Sequence, residues 1–472
     1  MRQTSTNPRQ LALLALQAIH RGKFADAALD RVLQQSSASP VDRRLITELV
    51  YGCVRRSRTL DTLIDQLATK PAAQQPLNLR LILHLGLYQL RYLSHIPAAA
   101  AVDTSVELAK QNGLGGLSGF VNGLLRRYLR QQEAIGDPLK LPPDPVQALA
   151  VSQSFPDWIV QVWVDQWGLE GATQLCEWMN QSPHIDLRIN PLVTSRAQVA
   201  AAMQAAGIAV QPIAGIPQGL RLPTGLGAIQ HLPGFAEGWW TVQDASAQLV
   251  GHLLDPQPGE TVIDACAAPG GKTMHLAELM GDRGTIWACD RNPNRLKKLE
   301  ENVRRLHLRN IHIQIGDSRD LAQFTGKADR VLVDAPCSGL GTLHRHADAR
   351  WRQTPENIQE LARLQTELLD RVAAWVKPYG VLVYSTCTLH PLENEGVVQA
   401  FLRHHPDWSI LPINSVPLAT SADCPVQDQW ATLAAPEGWL KIAPHQQDMD
   451  GFFMVRLQKQ SPSDSTLLHQ GC

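Results

Sequence analysis

The residue types in this chain that could do chemistry are two cysteines and a series of aspartates. Cys337 directly follows Asp334-Ala335-Pro336 in VLVDAPCSGLG, and Cys387 sits in YSTCTL; each comes just past an apolar, β-branched run. Asp264 closes the run Thr261-Val262-Ile263, Asp290 closes TIWACD, and Asp317 follows the run to Ile315 in IGDSRD. A thiolate is a nucleophile, and a cysteine beside strand-end acids is placed for covalent catalysis. The competing reading is a buried cysteine acting as a small apolar residue. That reading is kept for Cys53, Cys176, Cys289, Cys424 and Cys472.

Asp264 opens DACAAPGGKT, and the apolar run, the Pro-Gly-Gly turn and the following Met274, His275, Leu276 and Ala277 read as strand, tight loop and helix. Glycines let a ligand approach the backbone, and the first free N–H groups of the helix favour an anionic or nucleoside ligand. Gly271-Lys272-Thr273 could also end a phosphate-cradling P-loop, but that pattern asks for glycine where this chain has Cys266. A plain structural turn is a third reading. Asp290 is placed to accept from ribose hydroxyls, or to cap a helix before Asn292-Pro293, and Asp317 is placed to reach an adenine edge. Successive strand-end acids around a glycine loop, with no G-x-G-x-x-G fingerprint, favour S-adenosylmethionine over a nicotinamide cofactor. With that methyl donor the cysteines acquire a specific use. Carbon 5 of cytosine is a poor nucleophile, and a thiolate adding at carbon 6 converts it into an enamine. Such a reaction needs one cysteine nucleophile, an acid near the pyrimidine and a group that assists elimination.

The elements that must position these residues alternate. Strands ending at Asp264, Asp290, near Ile315 and at Asp334, and one over residues 381–386, are separated by amphipathic helices. One helix carries Leu296, Leu299, Val303 and Leu306; another carries Ile358, Leu361, Leu364, Leu368 and Val372. This pattern predicts a doubly wound, mostly parallel α/β sheet with ligands outside the carboxyl ends of its strands. Ahead of it, Trp239-Trp240-Thr241-Val242-Gln243-Asp244 leads into a helix over residues 245–254. Residues 146–235 read as a small α+β module, with helical patterns at 158–167, 172–179 and 198–206 and short β runs at 185–189 and 208–210. Residues 136–145 (GDPLKLPPDP) read as a linker. Residues 8–130 are helical throughout, with faces such as Leu45, Leu49, Val50 and Cys53, and Leu81, Leu85, Tyr88 and Leu93. The polar tail, residues 461–472, reads as disordered.

Composition sets outer bounds. A chain of 472 residues exceeds one ordinary core, and 44% apolar with 18% charged residues suits a globular protein. The best apolar run, residues 11–19, is too short to span a membrane and lacks a signal-peptide cleavage site, so no membrane partner and a cytoplasmic location are expected. The eight cysteines form no C-x-x-C pair, which argues against a zinc ribbon or other metal site and against a disulfide scaffold. Net charge is −1, yet residues 1–140 carry 18 Lys and Arg against 10 Asp and Glu, a surplus of eight positive charges. A basic head, with clusters at Arg43-Arg44, Arg55-Arg56-Arg58 and Arg126-Arg127 with Arg130, predicts contact with a polyanion such as RNA.

Two resemblances add to this reading. ALLALQAIHRG, DRRLITELVYGCVRR and the run from VDTSVELAK to FVNGLLRRYLR resemble the NusB fold, an all-α RNA-binding module. DACAAPGGKT, ACDRN, GDS, DAPCSGLGT, YSTCT and DGFFM resemble, in order, the motifs of the Sun family of RNA 5-methylcytosine methyltransferases. The second resemblance implies that Cys266, Ala267, Ala268, Pro269, Gly270, Gly271 and Lys272, with Asp290, Asp317 and Asp334, bind S-adenosylmethionine. It further implies that Cys387 is the nucleophile and Cys337 assists product release. Pro336-Cys337 alone would suggest the opposite assignment, as in DNA cytosine methyltransferases, and Thr386-Cys387-Thr388 decides for the RNA family. Asp334 is open to a second role at the pyrimidine. The expected architecture is a NusB-like head (1–135), the α+β module (146–235) and a Rossmann-like methyltransferase domain (236–460). The expected substrate is a cytosine of 16S ribosomal RNA, free or in an assembling small subunit, and the expected state is a monomer. Transfer RNA as substrate, and a non-catalytic NusB-like factor, are the alternatives.

Overall fold

Capped amphipathic helices build the first part of the chain. The structure, a computed structural model, describes residues 7–223, 226, 228–412, 430 and 433–460, so the expectations for residues 461–472 and for Cys424 and Cys472 lie outside the described residues. Helices α1 (Pro8–His20), α2 (Ala25–Gln34), α3 (Pro40–Arg55), α4 (Ser57–Leu67), α5 (Leu77–Tyr92), α6 (Ala98–Gln111) and α7 (Ser118–Ile135) occur in the expected all-α segment. Asn7 and Ser39 cap α1 and α3 by accepting from Arg9 N and Asp42 N, each with proline at the first helical position. Leu13, Ile46, Leu60, Leu83 and Leu125 share one core and are fully buried. Burial of side chains of this size stabilises by roughly 1.5–3 kcal/mol each.

This first compact unit runs on to Gln181 and takes back residues Leu343–Arg352. The proline-rich stretch after α7 is therefore not a free tether. Arg91 holds Asp137 at 2.6 and 2.7 Å, Lys140 N donates to Gln66 Oε1 at 3.0 Å, and Leu139 is buried. Helices α8 (Pro145–Gln153) and α9 (Asp157–Trp178) belong to the same unit; the two helical patterns expected at 158–167 and 172–179 are the halves of α9, which meet at Gly168 (φ 69°). The returning segment is anchored by Arg350, which is fully buried. Its guanidinium donates to the carbonyls of Arg55, Ser154 and Met179 at 3.2–3.3 Å and to Asn180 Oδ1 at 3.0 Å, and lies 4.0 Å from the Phe155 ring centroid.

The basic clusters separate by environment. Arg55 is buried and donates to His344 O, Arg56 donates to Gln153 Oε1, and Arg58 donates to Phe155 O and pairs with Asp157 at 2.8 Å. That cluster is tied into the unit, with Arg55 buried and Arg56 and Arg58 half-buried, whereas Arg44, Arg126, Arg127 and Arg130 are exposed.

The second unit comprises residues 182–342 and those after Arg352. Its small antiparallel sheet has the order β2-β3-β1-β4, from β1 (Ile185–Ile189), β2 (Gln211–Pro212), β3 (Gly219–Leu222) and β4 (Trp240–Val242), with α10 (Arg196–Ala205) beside it. The strand expected at 208–210 is displaced. Ile208 and Val210 pack on the module core outside the ladder, and pairing begins at Gln211 opposite Arg221.

The large sheet follows the expected alternation: α11 (Ala245–Leu254), β5 (Thr261–Asp264), α12 (Gly271–Leu279), β6 (Thr285–Asp290), α13 (Pro293–Arg305), β7 (Ile311–Ile315), β8 (Ala328–Asp334), α14 (Pro355–Ala373), β9 (Val376–Thr386), α15 (Glu395–His404), β10 (Trp408–Ile410), β11 (Leu440–Ile442) and β12 (Phe452–Lys459). Strands β7, β6, β5, β8 and β9 pair in parallel in that order. Strand β12 joins β9 antiparallel, and β10 and β11 pair with β12. The order reverses between β5 and β8, so their carboxyl ends part and leave a crevice there.

Candidate active site

The crevice is a cleft of about 380 Å³ in the second unit, lined by residues that follow each of the five parallel strands. Asp264 ends β5 and is buried. Its carboxylate accepts from Thr273 Oγ1 at 2.7 Å and from Cys266 N at 3.3 Å, and burial pushes its pKa up to about 7. The loop beyond it turns at Gly270 (φ +105°), where a Cβ would stand 2.7 Å from Leu299 Cγ, so only glycine fits. Ala267 N and Ala268 N donate to Cys289 O (2.8 Å) and Asp290 Oδ2 (3.2 Å), tying the loop to the end of β6. Asp290 also accepts from Asn292 N at 2.8 Å; the cap of α13 is Asn292, which settles that alternative.

Seven of the expected residues line the cleft: Cys266, Ala268, Asp290, Asp317, Asp334, Cys337 and Cys387. Ala267, Pro269, Gly270 and Gly271 form the turn behind it. Asp317 does not stand alone, because Arg319 holds it with two guanidinium hydrogen bonds at 3.0 and 2.8 Å and keeps its carboxyl below the usual range. Lys272 is directed to Asp334, with Nζ 2.8 Å from Oδ2 and 4.9 Å from the Phe452 ring centroid. Burial opposes its charge, and the Asp334 carboxylate more than offsets that, so its pKa stands above the ordinary value. Asp334 also accepts from Ser385 Oγ at 3.0 Å.

The two candidate cysteines converge. Strands β8 and β9 are neighbours in register, with Asp334 opposite Ser385, so the residues just beyond their ends meet. Cys337 Sγ and Cys387 Sγ lie 3.4 Å apart at the cleft. The hydrogen bond to Cys387, and then burial, push the Cys337 thiol well up, so Cys337 holds its proton. The loop after Cys337 docks on both neighbouring motifs: Gly341 N donates to Cys387 O at 3.0 Å and Gly451 N donates to Gly341 O at 2.9 Å. A Cβ on Gly341 would come within 2.0 Å of Gly451 O. By contrast, Cys53, Cys176 and Cys289 are buried, as expected of core residues.

Several supporting residues carry no local signal. Arg188 on β1 is fully buried; it pairs with Glu278 of α12 through Nε and Nη2 at 2.8 Å each, and donates to Gln243 Oε1 and, at 2.7 Å, to Gly271 O at the start of α12. Glu393 and Asn394, buried behind the cysteine loops, are a second such group. Ser318 also lines the cleft and donates to Ala265 O at 2.6 Å, and its place in the GDS motif was a usable signal. Among the described residues no helix is long and apolar enough to cross a membrane.

Comparison with known proteins agrees with this architecture. Residues 251–458 match the family model described as 16S rRNA methyltransferase RsmB/F, residues 6–130 match the NusB family, and residues 155–228 match a Methyltr_RsmF/B-like, ferredoxin-like domain. The chain is 51% identical to a probable ribosomal RNA small subunit methyltransferase B of Synechocystis sp., covering 96% of this chain and 99% of that relative. It is 36% identical to the Bacillus subtilis protein of the same name, with the same coverage. Among solved structures it resembles PH0851 (TM-score 0.78, 26% identity, 96% of this chain and 99% of that one). It also resembles a methyltransferase homolog protein from Pyrococcus horikoshii (TM-score 0.57, 29% identity, 68% and 100%).

The cofactor is S-adenosylmethionine, and the cleft fits it. Asp290, 8% exposed at the end of β6, offers carboxylate oxygens suited to a ribose diol, and the turn through Gly270, packed on Leu299, sets Cys266 and Ala268 along the cleft wall. Asp334, at the cleft, puts negative charge where a sulfonium is drawn, with Asp264 buried behind the Cys266 turn. The helical head, the ferredoxin-like module and the cleft at the switch point of a methyltransferase sheet, joined to 51% identity over nearly the whole chain, place this protein in the ribosomal RNA small subunit methyltransferase B family.

Proposed function

We propose that this chain methylates carbon 5 of a cytosine in 16S ribosomal RNA through a covalent cysteine–cytosine adduct. The observation that carries the reading is the meeting of Cys387 and Cys337, 3.4 Å apart, at the cleft. S-adenosylmethionine, when bound, supplies an electrophilic methyl group. Cys387 Sγ, as the thiolate, bonds to carbon 6 of an unstacked cytosine; the C5=C6 electron pair moves into the ring and makes carbon 5 an enamine carbon that takes the methyl. Lys272, held protonated by Asp334, donates a hydrogen bond to the pyrimidine as negative charge develops there. That use of Lys272 and Asp334 departs from a purely cofactor-binding role for the two.

Release reverses the addition. The C5–H bond breaks, its electron pair forms C5=C6, and the C6–Sγ bond breaks to return Cys387 as thiolate. Cys337 is the base for the C5 proton, after its own thiol proton has passed to solvent. Once Cys387 is bonded to carbon, the largest of the influences that hold Cys337 protonated is removed, and the two cysteines act in sequence. The exposed Arg44, Arg126, Arg127 and Arg130 of the first unit hold RNA phosphates, and a monomer with its substrate free or in an assembling subunit completes the reading.

The test is a denaturing gel of Cys337→Ala and Cys387→Ala proteins incubated with 16S RNA and S-adenosylmethionine. A slow, protease-sensitive protein–RNA band with Cys337→Ala and none with Cys387→Ala is expected. The reverse pattern would exchange the two roles, and no band in either, with transfer RNA as well as 16S RNA, would refute the covalent route.

A further inference from the structure

Behind the two cysteines lies a buried acid that the mechanism above does not use. Glu393 is fully buried, and its carboxylate is surrounded by donors. Oε1 accepts from Ser338 N at 2.8 Å and from Gln365 Nε2 at 3.0 Å, and Oε2 accepts from Ser338 Oγ and faces Thr388 Oγ1 at 3.3 Å. Ser338 follows Cys337 in the chain, and Thr388 follows Cys387. One carboxylate therefore joins the two cysteine loops, which are 50 residues apart in sequence.

The two loops depend on it unequally. Cys387 directly follows a strand paired on both sides, by β8 and by β12. It is also bracketed by Asn394, the residue after Glu393: Asn394 Oδ1 accepts from Thr386 Oγ1 at 2.5 Å, and Asn394 Nδ2 donates to Thr388 O at 3.0 Å. Cys337 has left its strand. Its side of the site is held by the two Ser338 bonds to Glu393, by Gln365 Nε2 donating to Pro336 O at 2.9 Å, by Gln353 Nε2 donating to Ser338 O at 3.1 Å, by the Ser338–Thr388 hydroxyl pair at 2.7 Å, and by contacts farther along at Gly341. Gln365 is itself oriented by Glu393, so removing this carboxylate loosens the Cys337 side twice and the Cys387 side little.

We propose that Glu393 is a positioning residue for the release step: it holds the Ser338 backbone, and with it the Cys337 thiol, against the carbon 5 face of the adduct, while Asn394 independently holds Cys387 for attack. The inference rests on the roles assigned to the two cysteines above. It predicts a separation of the two half-reactions that a general loss of structure would not produce. Gln at 393 keeps an oxygen for the two N–H donors and turns its amide to the Ser338 and Thr388 hydroxyls, which rotate to accept. Ala leaves Ser338 N without its acceptor, while Gln365 keeps Pro336 O and the Ser338 and Thr388 hydroxyls keep each other.

The experiment compares full-length wild type, Cys337→Ala, Glu393→Ala, Glu393→Gln and Ser338→Ala with 16S RNA and S-adenosylmethionine, reading adduct formation in a single turnover and adduct decay after a chase. Glu393→Ala is expected to form adduct at a rate within about threefold of wild type and to release it at least about tenfold more slowly, as loss of charge-assisted hydrogen bonds at the release group implies. Glu393→Gln should restore release, and Ser338→Ala should slow release in the same direction with a side chain small enough to leave the fold intact. Equal slowing of formation and release in Glu393→Ala and in Ser338→Ala, or release at the wild-type rate in both, would overturn the positioning role. Adduct trapped by Cys337→Ala but by neither of these variants sinks the inference alone. No adduct with Cys337→Ala sinks the cysteine roles beneath it.

Discussion

Arg188→Met is the perturbation whose consequence follows most directly from the geometry. Arg188 and Glu278 have side-chain exposures of 0% and 1%, so neither charge has water to fall back on. Methionine preserves the aliphatic stem and removes the cation, leaving the Glu278 carboxylate buried and the Gly271 carbonyl without its donor. Breaking one partner of a buried ion pair costs about 3–5 kcal/mol. Because Gly271 begins α12, S-adenosylmethionine binding should also weaken, by roughly tenfold for the loss of one charged hydrogen bond. Removing both charges in Arg188→Met with Glu278→Leu should recover at least about half of the lost stability, since no unpaired ion remains.

The loss should also depend on pH, with a defined sign. Burial holds the Glu278 pKa above its ordinary value, and Arg188 is the main group drawing it down, so removing Arg188 raises it further. A carboxyl whose folded pKa is raised is least unfavourable in its protonated form. The penalty of Arg188→Met is therefore smallest where Glu278 is protonated in both proteins, below the wild-type folded value. It grows with pH above that value, by up to about 1.4 kcal/mol per unit, until the variant's still higher folded value is passed. The assay is a urea titration of the full chain at pH 5.5 and pH 8, reading the transition that S-adenosylmethionine shifts. A single variant that loses under about 1 kcal/mol at pH 8, or a double variant no more stable than the single one, would refute the reasoning.

Three other outcomes are expected. Asp264, held at about 7 and buried behind the Cys266 turn, is drawn toward its ionised form when a sulfonium occupies the cleft. Calorimetric affinity for S-adenosylmethionine should therefore rise between pH 6 and pH 8 with proton release, and Asp264→Asn should flatten that dependence; an unchanged slope would remove Asp264 from the site. Gly341→Ala brings a Cβ to 2.0 Å from Gly451 O, so the Cys337 loop must move; methyl transfer should fall at least about a hundredfold with S-adenosylmethionine affinity nearly unchanged. Arg350→Met leaves backbone carbonyls of the first unit without donors and should lower the stability of that unit by about 2–4 kcal/mol, measured as loss of protection in hydrogen exchange at α3 and α9.

What could be read from the linear chain is what obeys short-range rules. Periodicity marks the strands that end at Asp264, Asp290 and Asp334, and the rule that ligands sit at carboxyl ends turns those positions into a site without any knowledge of packing. The same holds for Cys337 and Cys387, which come near each other once β8 and β9 are adjacent and parallel. Beyond that point local pattern is silent. Arg55, Arg56 and Arg58 read as part of a polyanion-binding head, yet their guanidinium groups are engaged within the unit, because whether a cation is free for a ligand is decided by elements that arrive from Gln153, Asp157 and His344. Residues 343–352 follow the Cys337 loop in the chain but belong to the first compact unit, where Arg350 finds its carbonyls. Arg188 meets Glu278 across 90 residues, and Glu393 reaches Ser338 across 55. A sequence specifies where chemistry-bearing residues fall along strands and helices; tertiary structure decides which charges are desolvated and which loops share a partner, because burial and pairing are properties of neighbours in space.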